Sequence, residues 1–69
     1  MHGVIRMNEW TDAQKRLPRS ESMYQKNPTI YGVDLGFAYG ICEAMFLNNE
    51  WYLNHFAKII VPILRWREK

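Results

Sequence analysis

The stretch from Thr29 to Asn49, TIYGVDLGFAYGICEAMFLNN, limits what this chain can fold into more than any other part of it. Gly32, Gly36, Gly40 and Ala44 follow one another at four-residue steps. On a helix turning about 100° per residue, such steps drift by only about 40°, so the small residues would line up as one ridge. Val33, Leu35, Phe37, Ala38, Ile41, Cys42, Met45, Phe46 and Leu47 would make the other sides apolar. A helix that is apolar all round has to be buried all round, in a large core or in lipid. A chain of 69 residues is too short to wrap it. The stretch therefore predicts a membrane span, or a subunit enclosed in a larger assembly. The competing possibility is that Tyr31-Gly32 and Tyr39-Gly40 are turns that divide the segment into short pieces.

The flanks complete an all-α expectation. Residues 1–28 are a polar N-terminal segment with one short helix. Asn8 or Thr11 can cap it, Thr11 and Gln14 fit a capping box, and Pro18 stops it. Trp10, Ala13 and Leu17 would share one face of that helix. Asn27-Pro28 marks a turn before the ridge helix of residues 29–49. Asn48-Asn49 reads as a turn or as the exit from the membrane. Residues 50–69 then form an amphipathic helix, with Asn54, His55, Lys58 and Arg65 on its polar stripe, a kink at Pro62 and a basic end at Arg65, Arg67 and Lys69.

The ridge is the expected contact surface for a partner. Three glycines inside a helix give up roughly 2–3 kcal/mol of propensity, which close approach of another backbone can offset in lipid. Glu43 falls on the same helical face. An acid at mid-depth in a membrane faces protein, so a cationic or hydroxyl donor from a partner is expected opposite it. The partner-binding residues are accordingly Gly32, Gly36, Gly40, Glu43 and Ala44. In a soluble helix, Glu43 would instead mark the solvent side.

Little in the chain points to chemistry. His2 and His55 have no partner at metal-ligand spacing, and Ser20, Ser22 and Cys42 lack a nearby His and acid. One cysteine excludes an internal disulfide and a cysteine-based zinc site. The glycine spacing differs from phosphate-binding loops. A net charge of +2, with the basic residues split between the ends, does not suggest nucleic acid. No catalytic residue, metal or cofactor is expected. With 48% apolar residues the chain has enough apolar surface to fold, and MHGVIRMNEW lacks the apolar core of a secretory signal.

Two resemblances bear on function. GFAYG, with apolar and aromatic residues before it, resembles the membrane segment of mitochondrial ATP synthase subunit e. That family carries a G-x-x-x-G motif in a single span of a similarly small protein. The likeness rests on Gly36 and Gly40. It implies a non-catalytic accessory subunit of a respiratory-chain or ATP synthase type complex in the mitochondrial inner membrane, in contact with lipid and other subunits. The chain departs from that family in its polar first third and its apolar tail. The opening EWTDAQKRLP resembles the start of small phage-encoded proteins, in which a Leu-Pro follows a Trp by about seven residues. The strand-forming run with which those proteins continue is not expected here. The alternative function is a small soluble helical regulator that dimerises and binds a host protein in the cytoplasm, an expectation supported by the mean hydropathy of −0.38.

Overall fold

The computed structural model describes residues 9–54 and 56–69, and they form strands, turns and irregular chain with no helix. The strands are β1 (Thr11–Asp12), β2 (Tyr31–Asp34), β3 (Ile41–Leu47), β4 (Glu50–Asn54), β5 (Ala57–Lys58) and β6 (Arg65–Glu68). They make one antiparallel sheet in the order β1-β6-β2-β3-β4-β5. The all-α expectation is overturned throughout, and with it the expected transmembrane helix. No helix among the described residues is long and apolar enough to cross a membrane.

Turn chemistry decides the matter locally. Gly36 has φ +95° and Gly40 φ +77°, backbone that glycine adopts without the steric cost other residues meet. Asp34 Oδ1 accepts the Gly36 N–H at 2.9 Å. The Gly40 N–H donates to the Gly36 carbonyl at 2.7 Å, and the Leu35 N–H to the Gly40 carbonyl at 2.9 Å. The four-residue step read as a helical ridge is thus, from Gly36 to Gly40, the span of a single turn that reverses the chain between β2 and β3. Tyr39-Gly40 lies in a turn, whereas Tyr31-Gly32 lies inside β2. Asn48 (φ 52°) and Asn49 (φ 65°) both take left-handed backbone between β3 and β4. This is the two-residue hairpin whose twist matches the strands it joins.

Alternation then sorts the side chains. Tyr31 and Val33 of β2, Cys42, Ala44 and Phe46 of β3, Trp51 of β4 and Trp66 of β6 point to one face. The register pairs Tyr31 with Ala44, Val33 with both Cys42 and Trp66, and Phe46 with Trp51. All of these but Cys42, which is half-buried, form the buried core. The Tyr31 ring makes edge contacts with Trp51 (5.8 Å) and Trp66 (5.4 Å), the geometry aromatic quadrupoles favour. The Trp66 indole N–H donates to the Arg16 carbonyl at 2.8 Å, which ties the N-terminal segment to the core. Ile59 and Ile63, on the chain that crosses from β5 to β6, pack on the same cluster. The expected C-terminal helix is therefore β4, β5, this crossing and β6, and Pro62 lies in the crossing instead of kinking a helix. Met45 and Leu47 point to the opposite face and are buried there.

The N-terminal helix reduces to one turn. The Asp12 side chain caps it by accepting the Gln14 N–H at 2.9 Å, and the Asp12 carbonyl accepts from Lys15 and Arg16. Thr11, the expected cap, is in β1. Asn8 lies outside the described residues. Beyond the start of β2, Glu21 extends the ladder on β3: its N–H donates to the Phe46 carbonyl (3.1 Å), and its carbonyl accepts from Asn48 (2.7 Å). After Leu17-Pro18 only Glu21 bridges to the sheet, and the next strand begins at Tyr31.

Candidate interaction surface

The sheet brings together two surfaces, one charged and one apolar. The charged surface is the face opposite the aromatic core. Alternation places Asp34, Glu43, Glu50, Tyr52, Lys58, Arg65, Arg67 and Lys69 there. Asp34 Oδ2 accepts from Arg65 Nε at 2.8 Å, Glu50 pairs with Lys58 at 2.9 Å, and Glu43 pairs with Lys69. The Arg65 and Arg67 guanidiniums lie 4.7 and 4.4 Å from the Trp10 ring centroid. Gly32 lets Arg67 lie flat against the sheet, since a Cβ there would come within 3.4 Å of its side chain.

The acids on this face answer to their own chain. The Gly36 N–H first, and Arg65 second, hold the Asp34 carboxyl below its ordinary value. Hydrogen bonding to Glu50 raises the Lys58 ammonium. Burial, helped by Glu21 and Glu68, raises the Tyr31 phenol. Asp34, Glu43 and Glu50 are thus each matched by a cation of the same chain, whereas the Asp12 carboxylate, on the same face, accepts the Gln14 N–H.

The five residues expected to form a partner-binding ridge are dispersed. Gly32 is buried in β2 beneath Arg67, and Gly36 and Gly40 close the β2–β3 turn. Ala44 is in the aromatic core, 1% exposed. Glu43 is open to solvent and its cation is Lys69 of its own chain, not a donor from a partner. The helical span expected through this segment is replaced by β2, its turn and β3. The ridge fails because successive side chains alternate across a strand.

The apolar surface is at one end of the sheet. Antiparallel pairing puts the β2–β3 turn, the β4–β5 turn and the start of β6 at the same end, where Asp34 pairs with both Ile41 and Arg65. Phe37 and Phe56, at the tips of those two turns, are fully exposed. Tyr39, Ile41, Leu53 and Leu64, at the same end, are each at least half exposed, Ile41 on the polar face and Leu53 and Leu64 on the core face. Leu64 abuts the turn, its Cδ1 standing 3.4 Å from where a Gly36 side chain would begin. These residues were not singled out in the sequence. The available signal was GFAYG itself, in which two bulky aromatics are carried on a loop bracketed by glycines.

The chemistry that can be located is structural. Ser20 Oγ accepts the Asn49 N–H at 2.6 Å and Ser22 Oγ the Tyr24 N–H at 3.0 Å, so both hydroxyls hold turns. Among the described residues no three His, Cys, Asp or Glu side chains gather as metal ligands. His2 and His55 lie outside the described residues. A shallow groove of about 490 Å³ beside β1 is lined by Trp10, Asp12, Pro62 and Arg65 among others. It brings together no nucleophile and base. Comparison with protein-family models, with curated proteins and with solved structures returns no match.

Proposed function

We propose that this chain is a small non-catalytic binding module that engages protein through the apolar end of its sheet. The observation that carries this reading is the pair of fully exposed phenylalanines at the tips of adjacent turns. A solvated phenylalanine contributes nothing to the stability of its own fold and promotes association, so two of them at one end of the sheet point to a contact surface. Aromatic side chains at such a surface supply large contact area at little entropy cost. The charged face supports the same reading by contrast, because its ion pairs are closed within the chain. An accessory subunit held by a spanning helix is not proposed, since the segment expected to span is β2, β3 and their turn.

Photo-crosslinking in the producing cell tests the proposal. A photoreactive phenylalanine analogue is placed at Phe37 or Phe56, with Tyr24 as the control. Tyr24 is also exposed but follows Glu21, which pairs beside Leu47 at the other end of the sheet. Discrete protein adducts from positions 37 and 56, and none from 24, are expected. Equal labelling from all three positions, or none from any, refutes the reading.

A further inference from the structure

We propose that a protein partner joins this sheet as an added strand, pairing an extended segment with Lys58 and Ile60 along the outer edge of β5. The inference rests on the binding-module reading and names how the partner is held. β5 is the last strand in the sheet order, so one side of it has no neighbour. Lys58 stands opposite Tyr52, and the Ile59 N–H donates to the Trp51 carbonyl at 2.8 Å. The pairing with β4 thus runs on to Ile59, whose backbone faces inward. Backbone direction alternates along a strand, so Lys58 and Ile60 turn their N–H and C=O groups outward. Among the described residues, nothing pairs with the backbone of Ile60. Pro62, without an N–H, ends the run.

The two margins of the sheet are finished differently. At β1 the Ala13 N–H faces β6 and donates to the Leu64 carbonyl, so Asp12 faces outward, and its carbonyl is filled by the Lys15 and Arg16 N–H groups. The chain closes that margin with its own turn. An open edge is commonly guarded by a lysine. Lys58 is not placed to do so, because its ammonium is held at 2.9 Å by Glu50 of β4, back over the sheet. The residues that bracket the open backbone are apolar: Phe56 is 98% exposed and Ile60 89%. They stand four positions apart in the sequence, so an added strand of about five residues spans both. A polypeptide backbone carries the N–H and C=O groups that fit such an edge. Lipid would leave them unsatisfied.

Photo-crosslinking in the producing cell, with the full chain, tests the inference. The photoreactive phenylalanine analogue is placed at position 56 or 60, and its attachment sites on the captured protein are mapped by mass spectrometry. Sites reached from the two positions should lie about four residues apart within one segment, as strand pairing requires. Ile60→Pro removes the outward N–H and should cut the adduct yield from position 56 about ten-fold, as loss of one edge hydrogen bond does. Ile60→Ala keeps the N–H and should cut it distinctly less. The Ile60 side chain is exposed and its backbone unpaired, so both variants should keep the wild-type far-ultraviolet circular dichroism spectrum. Should Ile60→Pro unfold, the mapped spacing decides alone. Equal losses from the two substitutions, or attachment sites in unrelated segments, overturn the added strand. Attachment to a second copy of this chain overturns the separate partner. Undiminished adducts from positions 37 and 56 in Ile60→Pro end the added strand and leave the binding module standing. No adduct from position 37 or 56 in the otherwise unaltered chain ends both.

Discussion

Gly40→Ala separates a strand-and-turn chain from a helical one by the sign of its effect. In the interior of a helix, alanine is better than glycine by about 0.8–1 kcal/mol, so the substitution would stabilise. Here Gly40 has φ +77°, and a Cβ added to it meets nothing within 4 Å. Space is therefore not at issue, and the backbone alone sets the cost. Left-handed backbone costs an L-residue roughly 1–2 kcal/mol. Alanine recovers about 0.4–1 kcal/mol by restricting the unfolded chain. The net expectation is a loss of about 0.5–1.5 kcal/mol. Urea unfolding followed by far-ultraviolet circular dichroism measures it. With a slope near 1 kcal/mol/M for a domain this small, the midpoint should fall by about 0.5–1.5 M. Gly40→Asn should recover part of that loss, because asparagine tolerates the left-handed region. Gly32→Ala is the contrast: it lies in a strand, faces only the flexible Arg67 side chain, and should be close to neutral. A midpoint that rises in Gly40→Ala refutes the turn.

Three further outcomes are expected. Trp66→Phe should cost about 2–3 kcal/mol in the same unfolding assay, from lost apolar area and the loss of the indole hydrogen bond to Arg16; a cost under about 0.5 kcal/mol would remove Trp66 from the centre of the core. Asn49→Gly should raise the midpoint by a few tenths of a molar, because Asn-Gly is the preferred pair for this hairpin turn, and a drop would mean that the turn is of another type. The folded Asp34 carboxyl titrates below its ordinary 3.8; its contribution is therefore complete above that value and is lost as pH falls through the lowered one. Unfolding midpoints of Asp34→Asn should accordingly lie below wild type near neutrality and converge with it in acid, and a constant gap at every pH would rule out the linkage.

Some of this fold was legible. Asn48-Asn49 between apolar runs is a hairpin signal, and RWRE at β6 has the period of two that puts both arginines on one face. The decisive stretch hid its period for a physical reason. β3 is buried on both faces at its C-terminal end, where Ala44, Met45, Phe46 and Leu47 are all inside, so no polar residue marks the alternation. Four buried apolar residues in succession look like part of a helix apolar all round. The glycine spacing deepened the error, because a turn closed by a Gly40-to-Gly36 hydrogen bond spans the same four residues as a helical repeat. At the N-terminus the capping signal was real but was read one residue early, on Thr11 instead of Asp12. The apolar end was not legible at all, since it requires knowing that the Phe37 and Phe56 turns are brought to one end by β3 and β4. Glu43 was expected to meet a donor from a partner across a helical ridge; its cation is instead Lys69 of its own chain, which reaches it only once β6 joins the sheet.

The position of β6 has a consequence for the order in which the molecule can come into being. The last strand in sequence is not at a margin: it separates β1 from β2 and is hydrogen-bonded to both. Until residues 65–68 arrive, the first strand has nothing to join, and the Trp66 indole that fastens Arg16 across 50 residues of chain is missing. The β2–β5 meander can assemble from neighbours, but the sheet closes only by a long-range event that carries a large entropy cost before it is rewarded. During synthesis, the open side of β2 is therefore a bare strand margin, able to recruit another chain, for as long as the C-terminal residues are held back. Removing those few residues would not trim the domain; it would cut the sheet in two.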